Sequence, residues 1–158
     1  MNQMLQIIPL LEPADYQAGS QDLDSINMGK LHSVTILIML GAITGNDSTI
    51  DLWSGADAGT KTTQLAFKYR LSGTDYGSAS ADVFGAATAV ASTASLTFTA
   101  ATSYDHRTIR IDFESDQMTD GEEWLTVATD DGSASVLLMS AVAIGYPRYQ
   151  GDTHITAL

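Results

Sequence analysis

At 158 residues the chain is long enough to form one domain around its own hydrophobic core. It contains no cysteine, which excludes disulfides and thiolate metal sites and suits folding in a reducing cytosol. Seven Lys+Arg against 19 Asp+Glu give a formal net charge of −12, which repels a phosphate backbone, so neither nucleic acid nor an anionic membrane is expected as a partner.

The first 17 residues lack a basic opening, Pro9 breaks their apolar run and Glu12 comes soon after, so no signal peptide is expected. No stretch of the chain approaches the ~18 apolar residues of a spanning helix. Ile7, Ile8, Leu10 and Leu11 surround Pro9, and two readings stay open: residues 1–17 are an N-terminal arm that orders on a partner, or they are an edge strand of the same domain. A short strand is expected around residues 24–28 and a long buried one from His32 to Leu40, then a turn at "TGNDS" and a strand at "TIDLW".

The next stretch, "SGADAGTKTT" from Ser54 to Thr63, resembles a phosphate-binding loop, with Lys61 and Thr62 in register from Gly55. The second glycine, Gly59, comes one residue early, and Thr60 stands where the backbone must turn without a Cβ. The segment after the loop is no helix: "QLAFKYRL" alternates Leu65, Phe67, Tyr69 and Leu71 with Gln64, Lys68 and Arg70, so the loop is expected to join two strands and to bind no nucleotide.

Residues 72–94 are small and weakly patterned and read as a surface connection with one short strand near Val83 and Phe84. Alternation then returns in "SLTFT", in "RTIRIDF" with Ile109, Ile111 and Phe113, and in "WLTVAT", before the long apolar "ASVLLMSAVAIG". About eight strands without a crossover helix predict a single all-β domain over 1–158, an antiparallel β-sandwich of jelly-roll type. Its expected core is Val34, Ile36, Ile38, Leu40, Leu65, Phe67, Ile109, Ile111, Phe113, Leu125 and Val127.

One segment carries a chemical signal. Counted from Asp112, carboxylates fall at positions 1, 3, 5, 9 and 12 as Asp112, Glu114, Asp116, Asp120 and Glu123, an echo of the EF-hand calcium loop. Gln117 replaces the required glycine at position 6 and strands replace the flanking helices, so a solvated acidic turn is preferred over a calcium site built from these five. His32, His106 and His154 share no metal-ligand spacing, and neither a Gly-x-Ser-x-Gly elbow nor a thiol offers a nucleophile. Asp112 and Glu114 could in principle act as an acid–base pair on sugars, yet Trp53 and Trp124 sit in strand patterns where packing explains them. No enzymatic activity and no cofactor are expected.

The phrases "LLEPADYQAG", "LGAITGNDSTIDLWSGADAGTKTTQLAFKYRLS", "DHRTIRIDF", "MTDGEEWLTV" and "AVAIGYPRYQGD" together resemble the head decoration, or cement, proteins of tailed bacteriophages. The resemblance implies a β-sandwich made in the host bacterial cytoplasm that binds the major capsid protein on the outer surface of the virion. It also implies a homotrimer at three-fold positions that stabilises the expanded shell. Contacts with the shell or with neighbouring copies are expected at the chain ends. One set is Ile7, Ile8, Pro9, Leu10 and Leu11; the other is Tyr146, Arg148 and Tyr149, an arginine with aromatics of the kind enriched at hot spots. Two other readings remain: a carbohydrate- or host-surface-binding module using Tyr69, Tyr76 and Tyr104, and an accessory tail protein.

Overall fold

Strict alternation makes β10 (Thr108–Glu114) the clearest element of the molecule. Its Ile109, Ile111 and Phe113 are fully buried while Asp112 and Glu114 face solvent, the one-face-in, one-face-out pattern of an antiparallel sandwich strand. The computed structural model describes residues 5–16, 19–45, 47–98, 103–131 and 136–148 as two packed antiparallel sheets of six strands each.

In the first sheet β1 (Gln6–Asp15), β12 (Leu137–Pro147), β4 (Leu31–Ile43), β10, β7 (Phe67–Leu71) and β8 (Thr88–Val90) are hydrogen-bonded in that order. In the second, β11 (Trp124–Asp131) pairs with β5 (Ser48–Gly55) at its centre. Two short strands, β2 (Gly19–Asp22) and β3 (Ile26–Asn27), share the free side of β11, and β6 (Thr63–Leu65) and β9 (Leu96–Phe98) share the free side of β5. Every residue of the expected core is buried, in one cluster between the sheets, and β1 and β12 add Ile8, Leu10, Leu137 and Met139 to it.

Two segments differ from the sequence reading, and a third resolves an alternative that it left open. "QLAFKYRL" is two strands in different sheets: the chain leaves the second sheet after Leu65, passes through the exposed Ala66 and enters the first at Phe67. Alternation persists through this crossing because Leu65 and Phe67 reach the same core from opposite sides. Around Val83 and Phe84 there is only an isolated bridge, Phe84 to Ser72, and the strand of this region is β8, which buries Val90. Of the two readings open for the N-terminus, residues 6–15 form the edge strand of the first sheet, paired with β12 from Gln6 opposite Gly145 to Asp15 opposite Leu138. Pro9 and Pro13 are compatible with that place, since an edge strand with bulges after Pro9 and after Leu11 does not need a complete set of donors.

Candidate functional site

The loop from Ser54 to Thr63 closes a hairpin, with Ser54 directly opposite Thr63. Its amides, which a phosphate-binding loop would aim at an anion, are used internally. The Asp57 N–H donates to Thr60 Oγ1 at 3.1 Å, and the Thr60 N–H to the Asp57 carbonyl at 3.1 Å. The Thr62 N–H donates to the Ser54 carbonyl at 2.8 Å, and the Gly59 N–H to Ser25 Oγ at 2.9 Å. Ser25 is itself 2.7 Å from the buried Thr126 hydroxyl, so the loop folds against β11, and Lys61 ends on Asp22 at 2.6 Å rather than facing an open cradle. Gly55 serves this packing: a Cβ there would collide with the hydroxyl and carbonyl of Thr60.

At the hairpin base Ser54 is fully buried and donates to Glu122 Oε2 at 2.5 Å, and Thr63 donates to Oε1 at 3.2 Å. A nucleophilic serine needs access as well as a base. Here the hydroxyl ties the hairpin to the turn at 119–122.

The five carboxylates of the acidic segment do not converge. Asp112 lies on the outer face of the first sheet, held by Arg110 at 2.9 Å and by the Thr35 hydroxyl at 2.8 Å. Glu114 precedes a 3₁₀ turn (Ser115–Gln117), and Gln117 Oε1 accepts the Glu114 N–H at 2.9 Å, so the residue at the glycine position of a calcium loop acts as a cap. Asp116, Asp120 and Glu123 border a cleft of about 300 Å³ with Met28, Met118 and Arg148. Among the described residues no group of three or more acidic or histidine side chains is placed to hold a metal.

The histidines and tyrosines also separate. His106 occupies a left-handed turn position (φ 55°), donating its N–H to the Gly41 carbonyl and accepting the Tyr76 N–H, both at 3.0 Å. His32 is exposed at the start of β4, and His154 lies outside the described residues. Tyr69 and Tyr104 face the space between the sheets with their hydroxyls 3.2 Å apart, and Tyr104 packs against Phe98 at 5.8 Å between ring centroids. Burial, and then the hydrogen bond and charge of Tyr69, push the Tyr104 hydroxyl up to about 12. Tyr76 stands on the opposite face of the first sheet, its hydroxyl donating to the Arg107 carbonyl at 2.9 Å. The three tyrosines therefore form no shared sugar platform.

The outer face of the first sheet is different in kind. Across the strands, Ile7, Ile144, Thr35 and Asp112 make one row; Pro9, Val142, Leu37, Arg110 and Arg70 make the next; Ser140, Met39 and Thr108 make a third. The half nearest β1 is thus apolar and open to solvent, with Ile7 74%, Leu138 41% and Met39 40% exposed. Next to them a groove of about 330 Å³ runs between Pro13, Ala14, Met39, Tyr76, Leu138 and Ser140. The half nearest β8 is cationic: Arg70 and Arg110 oppose each other directly, and Lys68 lies two residues along β7. Arg110 is also 5.9 Å from the Phe84 ring centroid, and Arg70 donates to the Gly85 carbonyl at 3.0 Å.

The residues expected at a contact divide accordingly. Ile7 and Pro9 point outward, Ile8 and Leu10 are core, and Leu11 is half-buried against it. Tyr146 is 37% exposed, while Arg148 braces β4, its Nε donating to the Leu31 carbonyl at 2.8 Å and its N–H to the Lys30 carbonyl at 2.9 Å. Tyr149 lies outside the described residues. Sequence reasoning missed Leu37, Met39, Leu138, Val142 and Ile144. The available signal was that β4 and β12 are apolar at outward as well as inward positions, where a sandwich strand with one wet face alternates. No protein-family model matches the chain, and a search of the curated proteins finds no match.

Proposed function

We propose that the protein is a non-enzymatic virion component that docks on the outside of a phage capsid and stabilises it, as a head decoration protein does. The observation that carries this reading is the exposed apolar half of the first sheet's outer face, a surface of the kind that marks a protein–protein contact. The resemblance of its phrases to those of decoration proteins supplies the rest of the proposal, including the major capsid protein as partner, an outer-surface location and a homotrimer at three-fold positions. A net charge of −12 suits a soluble particle surface better than one facing packaged DNA.

The test is co-sedimentation with expanded, undecorated heads, with stoichiometry and head rupture temperature as readouts. Wild type is expected to bind in a multiple of three and to raise the rupture temperature. Ile7→Lys combined with Val142→Lys, checked for native melting, is expected to abolish binding, while Gln64→Lys on the second sheet leaves it intact. Full binding by the double variant places the contact on another surface, and no binding by wild type removes the capsid reading.

A further inference from the structure

We infer that the outer face of the first sheet takes a protein surface that presents a row of aliphatic side chains bordered by carboxylates. This rests on the reading of that face as the docking surface and specifies the chemistry of what it docks on.

The size of the face sets the first constraint. Three strands at ~4.8 Å spacing and seven residues at ~3.3 Å cover roughly 330 Å², whereas a stable interface takes about 800 Å² from each partner. The apolar strip on β1, β12 and β4 is therefore too small alone. Extending the contact over β10, β7 and β8 brings it to roughly 570 Å², closer to that requirement. A partner that fills the face must then cover Lys68, Arg70 and Arg110 as well.

Charge sets the second. This face carries three of the chain's seven cations, with Asp15 beside Leu138 at one side and Asp112 and Glu114 on β10 as acidic residues, while the whole chain holds 19 Asp+Glu. A face near neutrality on a molecule of −12 is a segregation of charge, and covering cations without giving them carboxylates is costly. Arg110 already has Asp112 at 2.9 Å, but among the described residues Lys68 and Arg70 form no salt bridge, Arg70 donating to the Gly85 carbonyl. These two are the groups a partner's carboxylates would meet.

The edge of the sheet sets the third. Strand addition at β1 is hindered by Pro9, Pro13 and two bulges, so association uses the face, and the groove beside Tyr76 receives an aliphatic anchor.

The probe is a set of monolayers presenting octyl groups mixed with carboxylate or with quaternary ammonium, read by surface plasmon resonance at neutral pH. The intact chain is expected to bind the octyl–carboxylate layer at least tenfold more tightly than the octyl–ammonium layer, against the sign of its net charge. The double variant Lys68→Glu with Arg70→Glu, on exposed side chains, is expected to lose that preference while melting normally. Ile7→Lys with Val142→Lys is expected to weaken binding to both layers. Tighter binding to the ammonium layer, or a preference unmoved by Lys68→Glu with Arg70→Glu, overturns the inference. So does a concentration-dependent dimer in sedimentation that Ile7→Lys with Val142→Lys abolishes, because a second copy then occupies the face. Heads separate this from the functional reading: if they bind wild type and the Lys68/Arg70 variant equally, docking stands and the acidic partner surface does not. If heads bind neither, the capsid role fails while the monolayers still decide the chemistry.

Discussion

Tyr104 and His106 lie two positions apart and are held by opposite means, one by burial and one against its backbone preference. The Tyr104 hydroxyl is raised from its ordinary 10.0 to about 12, so the folded chain keeps a proton that the unfolded chain releases. The stability this contributes is present in full below about pH 10 and is lost as the pH rises through about 12. Urea midpoints measured across that window should fall more steeply for wild type than for Tyr104→Phe, and parallel alkaline limbs would contradict the assignment. His106 has a φ of 55°, where a side chain costs about 1–2 kcal/mol that glycine does not incur. Against glycine's greater loss of freedom on folding, about 0.5–1 kcal/mol, His106→Gly should stabilise by about 0.5 kcal/mol. His106→Val should destabilise, since a β-branched residue is least tolerated there, and both are measurable as shifts in the urea midpoint.

At the scale of the strand, β10 offers the sharpest contrast between neighbours. Ile111 is fully buried between Ile36 and Tyr69, and Ile111→Asp should cost about 4 kcal/mol or more by leaving a carboxylate in apolar surroundings. Asp112→Ala, one residue on and facing solvent, removes an exposed bridge to Arg110 and an exposed hydrogen bond from Thr35 and should cost about 1 kcal/mol. Equal losses at the two positions would mean that the register is displaced. This register was legible in the sequence because charged and aliphatic residues alternate without interruption. The crossing at Ala66 was not, since alternation reports which way a side chain points and is silent on which sheet carries it. Nor was β8, three residues with a single buried side chain, too short to display a period. The hairpin at Ser54–Thr63 could be read from the misplaced glycine and the strand pattern after it. The exposed apolar half of the first sheet's outer face could not, because aliphatics at outward positions of β4 and β12 look like the core of a strand buried on both sides.

For the molecule as a whole, β1 decides whether core and surface roles can be separated. Its inward side gives Ile8 and Leu10 to the core, at about 1.5–3 kcal/mol each. Its outward side gives Ile7 to the exposed apolar strip. Its backbone also covers β12, an 11-residue strand that would otherwise be a long open edge with no proline before Pro147. Deleting residues 1–11 should therefore remove a large part of a net stability that is about 5–15 kcal/mol for a typical domain. The truncated chain should melt well below wild type and sediment as oligomers, because an uncovered β12 can pair with its counterpart in another copy. Ile7→Lys touches only the outward side, and its urea midpoint should stay within about 0.5 kcal/mol of wild type. Differential scanning calorimetry and sedimentation velocity on the two variants together test this division. A truncated chain that melts like wild type and stays monomeric would mean that β1 adds nothing to the sandwich and is free to act as an arm. A destabilised Ile7→Lys would instead place Ile7 in the core, and the apolar half of the face would lose its most exposed member.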